Sequence, residues 1–142
     1  MTQAPISTFT GGCLCSKVRW RAEGAPLHVN HCHCEMCRRA SGAPIVTWAT
    51  FPSSKVSFIG PRVVRRSSQI ASRSFCGECG SALTWQGDGS PAEIDLTAGT
   101  FDDPSPLMPR DHLWTDSQIA WLTIADDLPR YRTSRQAGLT EK

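Results

Sequence analysis

The sequence has no long apolar run: nowhere do about 18 apolar residues follow one another, so no membrane-spanning helix is expected. Residues 1–10 lack the basic and then apolar layout of a secretory signal peptide. The charges nearly balance, with 15 Lys and Arg against 13 Asp and Glu, and the formal net charge of +2 gives no support to a nucleic-acid partner. These absences predict a cytoplasmic protein without a membrane partner and argue against nucleic-acid binding.

Helical periodicity is scarce as well, whereas β-branched and aromatic residues recur in short runs. The 11 glycines and 10 prolines divide these runs, and many short strands joined by turns are typical of an all-β fold. A chain of 142 residues suggests one domain. We predict strands at residues 18–21, 45–49, 56–59, 63–64, 70–75, 82–85, 94–98 and 119–124. We predict short helical turns at residues 37–41 and 111–116, and a loop at residues 104–109.

Cysteine, by contrast, is abundant, and its seven residues fall into three tight clusters. The clusters are Cys13 and Cys15; Cys32, Cys34 and Cys37; and Cys76 and Cys79. Disulfides suit this pattern poorly, because the count is odd, the expected compartment is reducing and a Cys-x-Cys pair rarely closes on itself. Thiolates at these spacings favour a soft metal ion, and zinc is the usual one.

Two of the clusters can combine into a closed four-cysteine site. Residues i and i+2 of an extended segment point to one face, so Cys13 and Cys15 can offer two sulfurs to one ion. Cys76 and Cys79 have the spacing of a zinc knuckle, with glycines beside them where unusual dihedrals are needed. Spacing alone leaves open whether the first cluster joins the third or the middle one.

The middle cluster supplies only three thiolates, so an ion held by Cys32, Cys34 and Cys37 keeps a vacant position. Three thiolates on Zn²⁺ leave a net negative charge. Arg38 and Arg39 could offset this charge, or they could receive a substrate carboxylate. We predict water or a substrate thiol as the fourth ligand, and a thiol bound to zinc loses its proton.

Other residues near the cysteines are weaker candidates. His31 and His33 alternate with the cysteines, so in a strand they face away from the ion. His112 is distant in sequence and is interpreted as a core residue rather than a ligand or a base. Trp48 and Trp85 could form an apolar wall beside the site, although lone aromatics usually belong to a core.

The remaining charged residues are interpreted mainly as surface features. The acidic pairs at residues 102–103 and 126–127 lie beside turn signals and are predicted to be loops. Asp88 stands between two glycines and is predicted to lie in a hairpin turn. Lys17 is a further candidate for binding a substrate carboxylate.

The cysteine clusters and their neighbours resemble the glutathione-dependent formaldehyde-activating enzyme family, which also includes centromere protein V. The resemblance covers roughly residues 8–131 and rests on Gly11-Gly12-Cys13-x-Cys15, Cys32-His33-Cys34-x-x-Cys37-Arg38-Arg39-x-Ser41-Gly42-Ala43 and Phe75-Cys76-x-x-Cys79-Gly80-Ser81. It implies an all-β fold likened to a tent (a β-tent), with short antiparallel sheets organised around zinc. We expect this domain over residues 8–132, after an N-terminal extension at 1–7 and before a flexible tail at 133–142.

The same resemblance implies roles for the cysteines and a reaction. It implies a structural zinc on Cys13, Cys15, Cys76 and Cys79 and a catalytic zinc on Cys32, Cys34 and Cys37. The implied activity is that of a carbon–sulfur lyase: a glutathione-like thiol and a small aldehyde such as formaldehyde form or release an S-hydroxymethyl adduct. Arg38, Arg39 and Trp48 are the candidate substrate contacts.

Two other functions stay open on the sequence alone. A zinc-stabilised binding module could use a cationic stretch made of Arg62, Arg65, Arg66 and Arg73. Arg65 and Arg66 are neighbours in a predicted strand and point to opposite faces, so this stretch is less concentrated than it looks. A thiol redox sensor could use the middle cluster, because exposed thiolates oxidise and release metal.

Overall fold

The structure, a computed structural model, describes residues 7–135. Most of the predicted N-terminal extension and of the predicted tail therefore lies outside the described residues. Residues 133–135 are held to the domain: the Trp114 amide donates to the Thr133 carbonyl at 3.0 Å, and Arg135 pairs with Asp111 at 2.6 Å.

Short strands are the main regular structure of the described chain, which confirms the all-β prediction. The strands are β1 (Thr8–Gly12), β2 (Arg19–Glu23), β3 (His28–Cys32), β4 (Val46–Pro52), β5 (Val56–Ile59), β6 (Arg62–Arg66), β7 (Ala71–Cys76), β8 (Ala82–Gly87), β9 (Glu93–Thr97) and β10 (Asp111–Leu113). One α-helix, α1 (Glu35–Ser41), follows β3. Single 3₁₀ turns occur at Ser53–Lys55, Ala98–Thr100 and Thr115–Ser117.

The strands form two sheets that share one apolar core. The smaller sheet has the order β1-β2-β5, and the larger one has the order β10-β3-β4-β9-β8-β7-β6. Neighbouring strands are antiparallel except β10, which runs parallel to β3. The core takes side chains from both sheets and from the loops after β9: Trp20, Ala22, Val29, Ala49, Phe51, Leu96, Ala98, Phe101 and Leu107.

The opposite face of the larger sheet carries the chemistry. Directly opposed residues of adjacent strands lie on one face of a sheet, as do residues i and i+2 of one strand. The strand register therefore aligns one continuous row, which we call the site face: Cys32, Val46, Trp48, Thr97, Asp95, Trp85, Arg73 and Arg65. A cysteine at one end and arginines at the other thus share a surface.

Seven of the eight predicted strands are present, and the eighth is wrong. Residues 119–124 form no strand, because the Leu122 amide donates to the Ile119 carbonyl at 3.0 Å and closes a turn within the segment. The outer edge of β10, where another strand could pair, is covered by residues 129–133, whose backbone bonds to His112, Trp114 and Thr115.

The two predicted helical turns have different outcomes. Residues 37–41 do lie in a helix, α1. Residues 111–116 do not form one turn: Asp111–Leu113 extends as β10 because it pairs with β3, and helical geometry begins only at Thr115. The predicted loop at 104–109 is confirmed, and Asp88 lies in the turn between β8 and β9. Within residues 7–135, no helix is long and apolar enough to cross a membrane.

Candidate metal centre

The first and third cysteine clusters come together in space. Cys13 and Cys15 lie in the turn between β1 and β2, Cys76 ends β7, and Cys79 lies in the turn between β7 and β8. The Sγ atoms of Cys13 and Cys15 are 3.5 Å apart, those of Cys15 and Cys76 are 3.8 Å apart, and all four lie within 4.8 Å of one another. Four thiolates at 2.3 Å around a tetrahedral zinc would be about 3.8 Å apart, so this quartet fits zinc.

Backbone amides point at two of the quartet sulfurs, those of Cys13 and Cys76. The Val18 amide donates to the Sγ of Cys13 at 3.2 Å, and the Glu78 amide donates to the Sγ of Cys76 at 3.4 Å. The Ser81 side chain contacts the Sγ of Cys79 at 3.1 Å, and its hydrogen bond lowers the pKa of Cys79 to about 5. A metal binds thiolates and not thiols, so these contacts prepare the site.

Glycine is required at two positions close to the quartet cysteines. A Cβ atom on Gly11 would lie 2.2 Å from the Thr100 carbonyl oxygen and 2.2 Å from the Trp20 ring. Gly80 has a φ of 79°, in the left-handed region that lets the chain turn after Cys79. A side chain at Gly11 would clash with Thr100 and Trp20, and any other residue at position 80 would be strained by its backbone conformation.

The middle cluster forms a separate trio at the start of α1. Cys32 ends β3, Cys34 is the N-cap of the helix and Cys37 lies buried in its first turn. The Sγ of Cys34 accepts a hydrogen bond from the Cys37 amide at 3.2 Å. The three sulfurs lie within 4.8 Å of one another, and all seven cysteines are free. Three thiols converging without a disulfide are a donor set suited to zinc.

The cysteines of the trio differ in the pKa of their thiols. Hydrogen bonds from the Cys32 and Cys37 thiols lower the pKa of Cys34, whereas the same contacts raise the pKa of Cys32. Cys34 is therefore the first of the three to become a thiolate. The Arg73 guanidinium donates to the Sγ of Cys37 at 3.4 Å, and its charge favours thiolates here. Arg73 also lies over the Trp48 ring, 5.9 Å from its centroid.

A cavity of about 230 Å³ opens beside the trio. Cys37, Trp48, Arg65 and Arg73 are among the residues that line it, together with hydroxyl-bearing residues such as Ser74. The cavity therefore joins a reactive sulfur cluster to an apolar ring and to two positive charges. Sequence reasoning treated these arginines as a surface stretch, because nothing local signals that they meet Cys37.

The predicted substrate contacts have different positions. Trp48 lines the cavity, whereas Arg38 and Arg39 are not among its lining residues. Arg39 pairs with Glu35 at 2.8 Å on the exposed side of α1. The Nε of Arg38 is buried and has no hydrogen-bond partner within residues 7–135. Lys17 pairs with Glu78 at 3.5 Å, close to the quartet rather than to the trio.

A histidine network lies behind the trio, and sequence reasoning missed it. His33 and His112 share a hydrogen bond of 2.8 Å between Nε2 and Nδ1, and the Nε2 of His112 lies 2.9 Å from Asp126. The carboxylate fixes the His112 proton on Nε2, so His112 accepts from His33. Burial and His112 lower the pKa of His33 to about 4, which keeps its ring neutral. His33 thus turns toward His112, in line with the alternation of the strand.

The donor atoms of His31, His112 and Asp126 also lie within 4.8 Å of one another. A cation is nevertheless poorly placed there, because both ring nitrogens of His112 are in hydrogen bonds and Arg130 donates to Asp126 at 3.2 Å. The network instead connects β3, β10 and the C-terminal segment. Nothing in the sequence indicated this network, because Asp126 belongs to an acidic pair that is typical of a loop.

Comparisons with known proteins agree with the geometry. A family model described as glutathione-dependent formaldehyde-activating enzyme matches residues 8–117. An "uncharacterized lyase" of Schizosaccharomyces pombe is 31% identical over 75 residues, which cover 53% of this chain and 55% of that protein. The chain thus spans about half the length of that relative.

A crystal structure of a Rhodobacter sphaeroides protein is similar in fold, with a TM-score of 0.55 and 25% identity over 71% of this chain and 92% of that one. The family match extends over most of the chain and contains every cysteine of the quartet and the trio. The chain belongs to the glutathione-dependent formaldehyde-activating enzyme family.

Proposed function

We propose that this chain is a zinc-dependent carbon–sulfur lyase that joins a glutathione-like thiol to a small aldehyde, or releases it. The observation that carries the proposal is the convergence of Cys32, Cys34 and Cys37 beside a cavity lined by Trp48 and Arg73. Membership of a formaldehyde-activating family and the lyase name of a relative support an enzymatic activity. We propose a catalytic zinc for the trio and a structural zinc for the quartet Cys13, Cys15, Cys76 and Cys79.

The proposed reaction balances without any further reactant. The thiol sulfur forms a bond to the aldehyde carbon, and the carbonyl oxygen gains the proton that the thiol loses; the reverse reaction breaks the same bond. Zinc on three thiolates leaves a position for a thiol and lowers the pKa of a thiol bound there.

The protein's own side chains do the remaining work. Arg73 offsets the negative charge that three thiolates leave on a divalent ion, through its contact with the Sγ of Cys37. Trp48 and Trp85 pack beside the trio and give the aldehyde an apolar wall that excludes water. Arg38 and Arg39 stay predicted contacts for substrate carboxylates.

The same proposal covers the extent and location of the protein. We place the zinc domain at residues 8–132, to which residues 133–135 are bonded. We place the protein in the cytoplasm, because seven unpaired thiols suit a reducing compartment.

The test combines metal analysis with a rate measurement. We expect two zinc ions per chain, and we expect the zinc-loaded protein to accelerate exchange between glutathione, formaldehyde and their S-hydroxymethyl adduct, followed by exchange NMR. Buffer containing the same zinc concentration is the control, because the adduct also forms spontaneously. A rate equal to that control for several aldehydes would reject the proposed activity.

The nucleic-acid alternative gains nothing from the structure. Arg66 pairs with Asp88 at 2.7 Å, and the Arg62 guanidinium lies 3.9 Å from the centroid of the Phe58 ring. Two of the four arginines in the cationic stretch therefore already have partners within the protein. A gel-shift assay with a salt titration tests this point, and we expect no salt-dependent binding.

A further inference from the structure

Two arginines face each other across the pair β6–β7. Arg65 lies directly opposite Arg73 in the strand register. Like charges in directly opposed positions destabilise a sheet. Within residues 7–135, no carboxylate forms an ion pair with either arginine. The fold therefore places two positive charges together. Arg73 contacts the Sγ of Cys37, and no carboxylate among the described residues pairs with Arg65.

Other arginines of the same strand have partners, which makes this pair distinctive. Arg66 forms two hydrogen bonds with the Asp88 carboxylate, at 2.7 and 2.8 Å. Arg62 stacks on Phe58. Both alternate with Arg65 along β6 and so point to the opposite face. Arg65 alone projects onto the site face, and it has no hydrogen bond with the described residues.

Both arginines line the cavity that Cys37 also lines. The guanidinium of Arg73 is held at the inner side by the Sγ of Cys37 and by the Trp48 ring. Arg65 is exposed and lies farther from the trio along the site face. An elongated ligand with a sulfur at the trio would extend past Trp48 toward these two guanidinium groups.

We propose that Arg65 and Arg73 form a carboxylate-binding subsite that selects thiols carrying a negative charge at a distance from their sulfur. Guanidinium groups bind carboxylates through paired, charge-assisted hydrogen bonds, and here a carboxylate would also remove the repulsion between the two arginines. This inference rests on the proposed function only in placing the thiol sulfur at the trio. It assigns carboxylate recognition to β6 and β7 rather than to α1.

The experiment measures binding rather than turnover. Zinc-loaded protein is titrated by calorimetry with glutathione, with S-methylglutathione, which has no free thiol, and with glutathione diethyl ester, which has no free carboxylate. Arg65→Gln removes one charge from the subsite without touching Cys37. Arg66→Gln is the matched control, because it removes the same charge one residue away on the opposite face. Zinc content and melting temperature are compared for all three proteins.

We expect Arg65→Gln to weaken glutathione and S-methylglutathione roughly tenfold, as the loss of one charge-assisted contact implies. Arg66→Gln should change neither affinity by more than about twofold, and the diester should bind all three proteins equally weakly. Equal affinities of wild type and Arg65→Gln, or no carboxylate binding by wild type, would overturn the subsite. Arg65-dependent binding of S-methylglutathione without thiol–aldehyde catalysis would keep the subsite and reject the proposed reaction.

Discussion

Cys34 has two separable tasks at the trio. Its Sγ caps α1 by accepting a hydrogen bond from the Cys37 amide, and it is the cysteine whose pKa the neighbouring thiols lower. Serine caps helices well through its hydroxyl oxygen but is a poor ligand for zinc beside thiolates. Replacing the Cys34 sulfur by oxygen should therefore weaken metal binding while the helix cap is kept.

We predict that Cys34→Ser removes the catalysed rate and lowers the bound zinc from two ions per chain to one, while the fold persists. Metal analysis, exchange NMR and circular dichroism measure the three quantities. The melting temperature should stay within a few degrees of wild type, because the cap is kept. Unchanged zinc content together with an unchanged rate would contradict the role given to the trio.

Asp95 carries an unusual carboxyl group on the site face. Burial raises its pKa from 3.8 to about 6, although the Thr50 hydroxyl donates to it at 2.5 Å. Because the folded state holds this proton more tightly than the unfolded state, its contribution favours folding at low pH and declines as pH rises from about 4 to 6.

We predict that Asp95→Asn stabilises the protein at pH 7 relative to wild type by about 2 kcal/mol, and that the difference shrinks toward pH 4. Denaturant unfolding at a series of pH values, with excess zinc, gives the comparison. Loss of zinc at low pH affects both proteins alike and cancels in the difference. A difference that grows as pH falls would have the wrong sign for this explanation.

Among the elements, β10 depends most on side chains from elsewhere. It has three residues and pairs in parallel with β3, and His112 at its centre bonds to His33 and to Asp126. Backbone bonds from residues 129–133 cover its other edge. A strand this short is held in place by these contacts more than by its backbone hydrogen bonds with β3.

We predict that His112→Ala costs roughly 2–4 kcal/mol of unfolding free energy, because it leaves a cavity and removes the partner of the buried His33 and of the partly exposed Asp126. Hydrogen exchange should accelerate at residues 111–113 and 129–133 but not in the β7–β8 hairpin. His28→Ala, an exposed histidine on β3, is the control and should change little. Equal loss of protection in both regions would show that β10 is not a separate cooperative unit.

The strands that the sequence predicted are those with β-branched and aromatic residues. β5 matches its predicted bounds, whereas β1 and β3 were missed because glycine, histidine and cysteine hide their alternation. Residues 119–124 have the composition of a strand but no edge to pair with. Local composition thus indicates which segments can extend, and only the topology decides which of them do.

The candidate site also combines features that can be predicted from the sequence with features that depend on the fold. The cysteines could be predicted, because their ligand chemistry is local and their spacing is short. Arg73 could not, because it reaches Cys37 across 36 positions of sequence. The pairing of Arg65 with Arg73 likewise exists only in the register of β6 and β7. The partners of charged residues that are far apart in the sequence can be identified only once the fold is known.

At the scale of the whole molecule, the quartet joins the two sheets. Its first two cysteines follow the small sheet's β1, and its last two lie at the end of β7 and in the turn that leads to β8 of the large sheet. Structural zinc contributes on the order of 10 kcal/mol, comparable to the entire stability of a small domain. The three cysteines of the trio lie within six positions of the sequence, so an ion bound there would contribute much less to the stability of the fold.

We predict that a chelator removes zinc in two stages. The first ion should leave the trio without change in circular dichroism, and loss of the second should coincide with unfolding. In Cys79→Ser the unfolding stage should occur at a much lower chelator concentration, because one knuckle ligand is gone. Retention of β structure after both ions have left would contradict the structural role of the quartet.

The 61 positions that separate Cys15 from Cys76 have a consequence for synthesis on the ribosome. The trio is complete as soon as residue 37 emerges, whereas the quartet waits for residue 79. A nascent chain therefore offers metal a local three-sulfur loop first, and Cys13 and Cys15 stand nearby without their final partners. Correct assembly requires those two sulfurs to stay uncommitted until the second half of the domain arrives.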